Sequence, residues 1–159
     1  MASSPFDLTG TAAIIAGASR GIGYAIARHF LIQGANVLIT GHELAETENA
    51  KKSLASEFPE AQIEAIAGDI SDEAHASEIV TMAMGAFGHF EAVVSNAGID
   101  IIKPALDYAP EEWDRVIAVN LRGRFLSLKL PPEVGWLLSS GEVQSQSLPQ
   151  LPGLSVSRR

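Results

Sequence analysis

The sequence contains no cysteine, which excludes disulfides, thiolate nucleophiles and cysteine-ligated zinc or iron–sulfur centres. It also lacks an excess of positive charge: 11 lysines and arginines stand against 19 aspartates and glutamates, a formal net charge of −8. Nucleic-acid-binding surfaces carry net positive charge to neutralise phosphates, so no nucleic-acid partner is expected. No apolar run reaches the roughly 20 residues needed to span a bilayer, and the opening MASSPFDLTG has neither the basic patch nor the apolar stretch of a secretory leader. A cytoplasmic protein with no membrane partner is the expectation. Tyrosine is scarce, with only Tyr24 and Tyr108. His29, His75 and His89 lack metal-ligand spacing and read as surface residues, so no metal site is expected.

What the sequence does contain is a regular alternation of short apolar runs and amphipathic segments. At 159 residues and 47% hydrophobic, the chain suits one domain with a core. Residues 11–16 (TAAIIA), 36–40 (NVLIT), 62–67 (QIEAIA) and 91–95 (EAVVS) read as strands. A helix follows each: from Gly21 to a closing Gly34; over 43–58 with Leu44, Leu54 and Phe58 on one face; from Ser71 and Glu73 to Phe87. After Pro104 and Pro110 the last helix carries Trp113, Ile117, Asn120, Leu121, Phe125 and Leu128 as its apolar stripe, which is expected to be buried. Strands alternating with helices imply right-handed crossovers and an α/β, doubly wound parallel sheet. Past Pro131 and Pro132 the pattern stops. Residues 131–159 are rich in Ser, Pro and Gln and are expected to be an unstructured tail, leaving 8–130 as the folded part.

The first strand runs into AGASRGIG, residues 16–23. One glycine permits a sharp turn, another lets backbone approach a pyrophosphate, and a third lets helix pack on sheet. The helix N-terminus then faces the phosphates. This motif, with GDI at 68–70, SNAG at 95–98 and Asn120 in VNLRG, resembles the short-chain dehydrogenase/reductase family in order and spacing.

The resemblance covers about residues 8–130 and implies a Rossmann-like fold holding a small-molecule dinucleotide cofactor. By that resemblance Gly17, Ser19, Arg20, Gly21, Ile22 and Gly23 cradle the pyrophosphate, Asp69 and Ile70 meet the adenine, and Asn96, Ala97 and Gly98 lie along the ribose. The alternative for Asp69 is helix capping, and for 96–98 a tight turn. NAD-dependent relatives usually hold an acidic residue at the end of strand two. Here Thr40, Gly41 and His42 stand there, so with Arg20 nearby the cofactor expected is NADP rather than NAD. The alternatives are that Glu43 serves as the ribose ligand and that His42 is a solvated loop residue. Ala16 and Ser95 replace the family's usual Thr and Asn. Lys129 is a weak cofactor candidate.

The implied reaction is hydride transfer between nicotinamide and a carbonyl or secondary alcohol. It needs a tyrosine, a lysine four residues later that favours the phenolate, and a serine. Tyr24 is followed four residues on by Arg28 and Tyr108 by Glu112, so the pair is missing. Ser139 and Ser140 mimic the serine only by coincidence. Asn120 matches the family's helix asparagine and remains as a remnant of a proton relay. A complete member has roughly 250 residues, near the upper size of one domain. The expectation is therefore a truncated, inactive oxidoreductase, or a non-catalytic nucleotide-binding or subunit-pairing module. Strand four would form an exposed sheet edge, and association through that edge or a helix face would follow.

Overall fold

A computed structural model describes residues 6–128. The expectations for Lys129, Ser139, Ser140 and the tail over 131–159 fall outside them. In chain order the elements are β1 (Ala12–Ala16), α1 (Gly21–Ile32), β2 (Asn36–Gly41), α2 (Leu44–Glu57), β3 (Ile63–Ala67), α3 (Glu73–Phe87) and β4 (Ala92–Ser95). A short 3₁₀ turn (Ala105–Asp107) then leads to α4 (Pro110–Ile117), a π-helical turn (Ala118–Gly123) and α5 (Arg124–Leu128). All strand pairings are parallel, in the order β3-β2-β1-β4. This is the expected doubly wound, Rossmann-like sheet. Among the described residues β4 has a strand on one side only.

The strands are apolar at nearly every position because helices cover both faces. Ala13 and Ile15 of β1 join Val37, Ile39 and Ile63 under α1 and α2, with Ala27, Leu31, Ala50 and Leu54. The alternate residues Ala12, Ile14 and Ala16 join Leu38 on the opposite face, against Ile79 and Ala83 of α3 and Val119 of the π turn. Burying a side chain the size of Ile15 contributes about 1.5–3 kcal/mol. Local signals end the helices where expected. Gly34 adopts φ +89° and donates its N–H to Leu31 O at 3.0 Å, and Gly88 adopts φ +77° after α3. Asp72, rather than Ser71, caps α3, its Oδ1 accepting from Ala74 N at 2.9 Å.

Three sequence expectations are corrected. Leu44 is exposed, and α2 buries Thr47, Ala50 and Leu54 instead. His75 is buried, because it falls with Ile79 and Ala83 on the face of α3 that packs against the sheet. The largest correction concerns the last helix. Trp113, Leu121 and Phe125 are each 60–65% exposed and Ile117 37%, while Val119, Gly123, Leu126 and Ser127 face inward. The cause is a close approach: a Cβ on Gly123 would stand 2.8 Å from Ile70 Cγ2. The helix lies down on its smallest residue and leaves its bulky stripe outside.

Candidate functional site

Parallel strands bring their C-terminal ends to one edge of the sheet, and the sequence motifs meet there. Gly17 leaves β1 with φ +70°, and a Cβ on it would sit 2.6 Å from Ala97 Cα. A Cβ on Gly23 would come within 2.2 Å of Gly17 O and 2.6 Å of Asn96 Nδ2. Asn96 Nδ2 donates to Gly17 O at 2.9 Å, so the glycine turn is stitched to the end of β4. On its other side Ala18 N donates to Thr40 O at 2.8 Å and Gly17 N to Thr40 Oγ1 at 3.4 Å. Gly21 differs from both. Its φ is +60°, yet a Cβ there would meet nothing within 4 Å. The turn is thus closed toward the protein and open in front of α1. Arg20 is the N-cap of α1 and gives no side-chain cap, so the first-turn N–H groups keep their attraction for an anion. Ile22 is exposed beside them.

At the end of β2 a Cβ on Gly41 would meet Thr47 Oγ1 at 2.2 Å and Ser19 Cβ at 3.0 Å. Thr47 Oγ1 is held in place by donating to Glu43 O at 2.8 Å. Any side chain at position 41 would therefore be crowded by a hydroxyl from α2. Arg20 and His42 flank this point, and each faces a carboxylate: Arg20 Nη1 lies 3.3 Å from Glu46 Oε1, and His42 Nε2 lies 3.8 Å from Glu43 Oε1.

Past β3, a Cβ on Gly68 would collide with the His75 ring at 2.5 Å. His75 Nε2 is buried with no hydrogen-bond partner among the described residues. Asp69 Oδ1 accepts from Ser71 N at 2.9 Å and from Ser71 Oγ at 2.7 Å, and Oδ2 accepts from Arg115 Nη1 at 2.6 Å. Partial burial pushes the Asp69 carboxyl up, but the Ser71 hydroxyl and amide and the Arg115 guanidinium outweigh it and bring it down to about 2. Ile70 is buried against Gly123.

Beyond β4, Asn120 sits in the π turn and grips the loop backbone. Its Oδ1 accepts from Ile99 N at 2.8 Å and its Nδ2 donates to Ile99 O at 2.8 Å. Both ends of the amide are engaged, and a Cβ on Gly98 would lie 3.3 Å from Asn120 Oδ1. Ala16 and Ser95 are direct partners in the β1–β4 register. Both tyrosine hydroxyls have structural partners: Tyr24 Oη donates to Ser53 Oγ at 3.0 Å, and Tyr108 Oη donates to Ile101 O.

The structure thus joins Gly17, Gly23, Asn96 and Ala97, sets Ser19 beside Gly41, and gives Arg20 and His42 different carboxylate neighbours, Glu46 and Glu43. Glu46, Thr47 and Arg115 were not singled out from the sequence, whereas Thr40 was named only for cofactor choice and not for its bonds to the glycine turn. No local signal could have found Arg115, since 46 residues separate it from Asp69. Among the described residues no three metal-ligating side chains are grouped, and no helix is long and apolar enough to cross a membrane.

Comparison with known proteins places this geometry in context. A family model described as short chain dehydrogenase matches residues 11–131. The chain is 39% identical over 123 residues to an NADP-dependent (R)-specific alcohol dehydrogenase of Lentilactobacillus kefiri, covering 77% of this chain and 48% of that protein. It is 32% identical over 123 residues to a D-beta-hydroxybutyrate dehydrogenase of Cupriavidus necator, covering 77% and 47%. The chain spans about half the length of these curated relatives. A crystal structure of a short-chain dehydrogenase/reductase (glucose/ribitol dehydrogenase) from Brucella melitensis superposes with a TM-score of 0.73 at 35% identity, over 78% of this chain and 52% of that one.

Proposed function

Because this chain belongs to the short chain dehydrogenase family, we propose that residues 8–130 form the dinucleotide-holding part of an NADP-dependent oxidoreductase. The proposed reaction moves hydride between nicotinamide and a carbonyl or secondary alcohol. The observation that carries this reading is the glycine turn, packed shut by Gly17, Gly23 and Asn96 on the protein side and open at Gly21 in front of α1. Such a turn at the point where strand order reverses suits a pyrophosphate.

When bound, the cofactor supplies the hydride-carrying nicotinamide. The chain's own residues hold it. The Gly17–Gly23 turn presents backbone and the α1 N-terminus to the pyrophosphate, with Ser19 and Ile22 at its rim. Asp69 keeps unshared lone pairs beside its Ser71 and Arg115 contacts and is ionised at neutral pH, so it can accept a hydrogen bond from an adenine amino group next to Ile70. Asn96, Ala97 and Gly98 line the ribose. Arg20 is the cation available to a 2′-phosphate, and the Thr47 hydroxyl crowds any side chain that would stand at position 41. An NADP-dependent relative supports the same preference.

Neither tyrosine of the 159-residue chain is followed by a lysine four residues later, and Asn120 spends both ends of its amide on Ile99. We therefore expect this chain by itself to bind NADPH and not to turn it over. Nicotinamide fluorescence measures the binding, and absorbance with a panel of ketones measures oxidation. Saturable binding without oxidation is the expected result; robust turnover, or no binding, overturns it.

The exposed stripe of Trp113, Ile117, Leu121 and Phe125 favours a second reading, a module that pairs with another chain through this helix face. Light scattering would then give a mass above that of one chain, falling to one chain in L121K/F125K. A wild-type monomer would remove this reading.

A further inference from the structure

Arg20, the guanidinium near the end of β2, already has a carboxylate partner, and that partner lies on α2. Arg20 approaches the end of β2 from the glycine turn. Its side chain is 81% exposed and its Nη1 lies 3.3 Å from Oε1 of Glu46, itself 46% exposed. Glu46 belongs to the first turn of α2, where a carboxylate is favoured by the helix dipole. The pair is solvated on both sides, so it is weak and opens easily. It nevertheless imposes a competition. A dinucleotide carrying a 2′-phosphate would meet a guanidinium whose charge is already shared with Glu46, whereas one carrying a 2′-hydroxyl has no charge to place there.

Resting on the cofactor reading above, we propose that Glu46 sets the degree of preference for the phosphorylated dinucleotide by competing with the 2′-phosphate for Arg20. Glu46 touches no part of the cofactor in this account. It acts through Arg20, and its removal changes discrimination between the two dinucleotides rather than affinity for both.

The test is a set of fluorescence titrations of NADPH and NADH on the full chain, E46Q, R20Q and R20Q/E46Q, with thermal melts to establish that all four fold alike. E46Q is expected to tighten NADPH about threefold, the range set by an exposed ion pair, and to leave NADH unchanged. R20Q weakens NADPH about tenfold, and in that background the gain from E46Q disappears. Three results overturn the inference: E46Q leaves NADPH affinity unchanged, E46Q shifts both nucleotides equally, or E46Q weakens NADH, which would make Glu46 a ribose ligand. If the wild-type chain binds neither nucleotide, the cofactor reading fails and this inference with it. If it binds NADPH and E46Q changes nothing, only the inference fails.

Discussion

Arg115 Nη1 lies 2.6 Å from Asp69 Oδ2, so a guanidinium on α4 holds the carboxylate that ends the β3 segment. One residue comes from before α3 and the other from beyond β4. The ion pair fastens the outer helix to the edge of the candidate site, and Ser71 completes the carboxylate's contacts.

This pair gives the chain a defined acid dependence. The Asp69 carboxyl titrates at about 2 in the folded chain and near 3.9 when unfolded. A depressed folded value means stability that is fully present above the unfolded value and lost as pH falls through the folded one. Both side chains keep more than a third of their surface in water, so we expect a contribution of about 1 kcal/mol rather than the full value of the shift. In thermal melts D69N should lie below wild type at pH 7, and the gap should narrow as pH falls below 4 and close only below pH 2. A full gap that persists at pH 1 would show that Asp69 acts through something other than its charge.

The glycines of the turn should separate by cause. Gly23→Ala places a methyl 2.2 Å from Gly17 O and 2.6 Å from Asn96 Nδ2, and overpacking of this kind costs about 1–3 kcal/mol or more. Gly21→Ala meets open space, and its cost is the positive φ alone, about 1–2 kcal/mol. Urea titrations should rank G23A below G21A. NADPH titration of G21A, which stays folded, should show lost affinity because its methyl enters the space in front of α1.

Cofactor choice should not follow from position 41 alone. G41D would drive its Cβ into Thr47 Oγ1, 2.2 Å away, and we expect it to destabilise the chain by about 1–3 kcal/mol. T47A removes the obstructing hydroxyl. The double variant G41D/T47A should recover part of the lost stability and bind NADH better than NADPH. Equal stability of G41D in both backgrounds would show that the clash at Thr47 is not what limits this position.

Much of the fold was legible because its causes are local. Ala12–Ala16 and the other strands are short apolar runs between turn residues, and Gly34 stands where the first helix must reverse. The glycine turn was legible for the same reason, since Gly17 and Gly21 have backbone angles that side chains resist. Asn120 was read as a polar group in need of partners, and it has two, both on Ile99. The reading failed where size was taken for burial. Trp113, Leu121 and Phe125 lie on the outer side of their helix, while Gly123, Leu126 and Ser127 pack inward, Gly123 against Ile70. His75 was read as a surface residue because it is polar, although it shares a face with Ile79 and Ala83.

The sequence by itself determined the order of strands and helices, the positions of the sharp turns and the absence of a Tyr-x-x-x-Lys pair. Each depends on residues close together in the chain, or on residue identity alone. Only the tertiary structure decided that Arg115 holds Asp69, that Glu46 engages Arg20 and that Thr47 fills the space beside Gly41. Those are distances between segments brought together by packing, and a Coulombic or steric interaction depends on that distance whatever the separation along the chain.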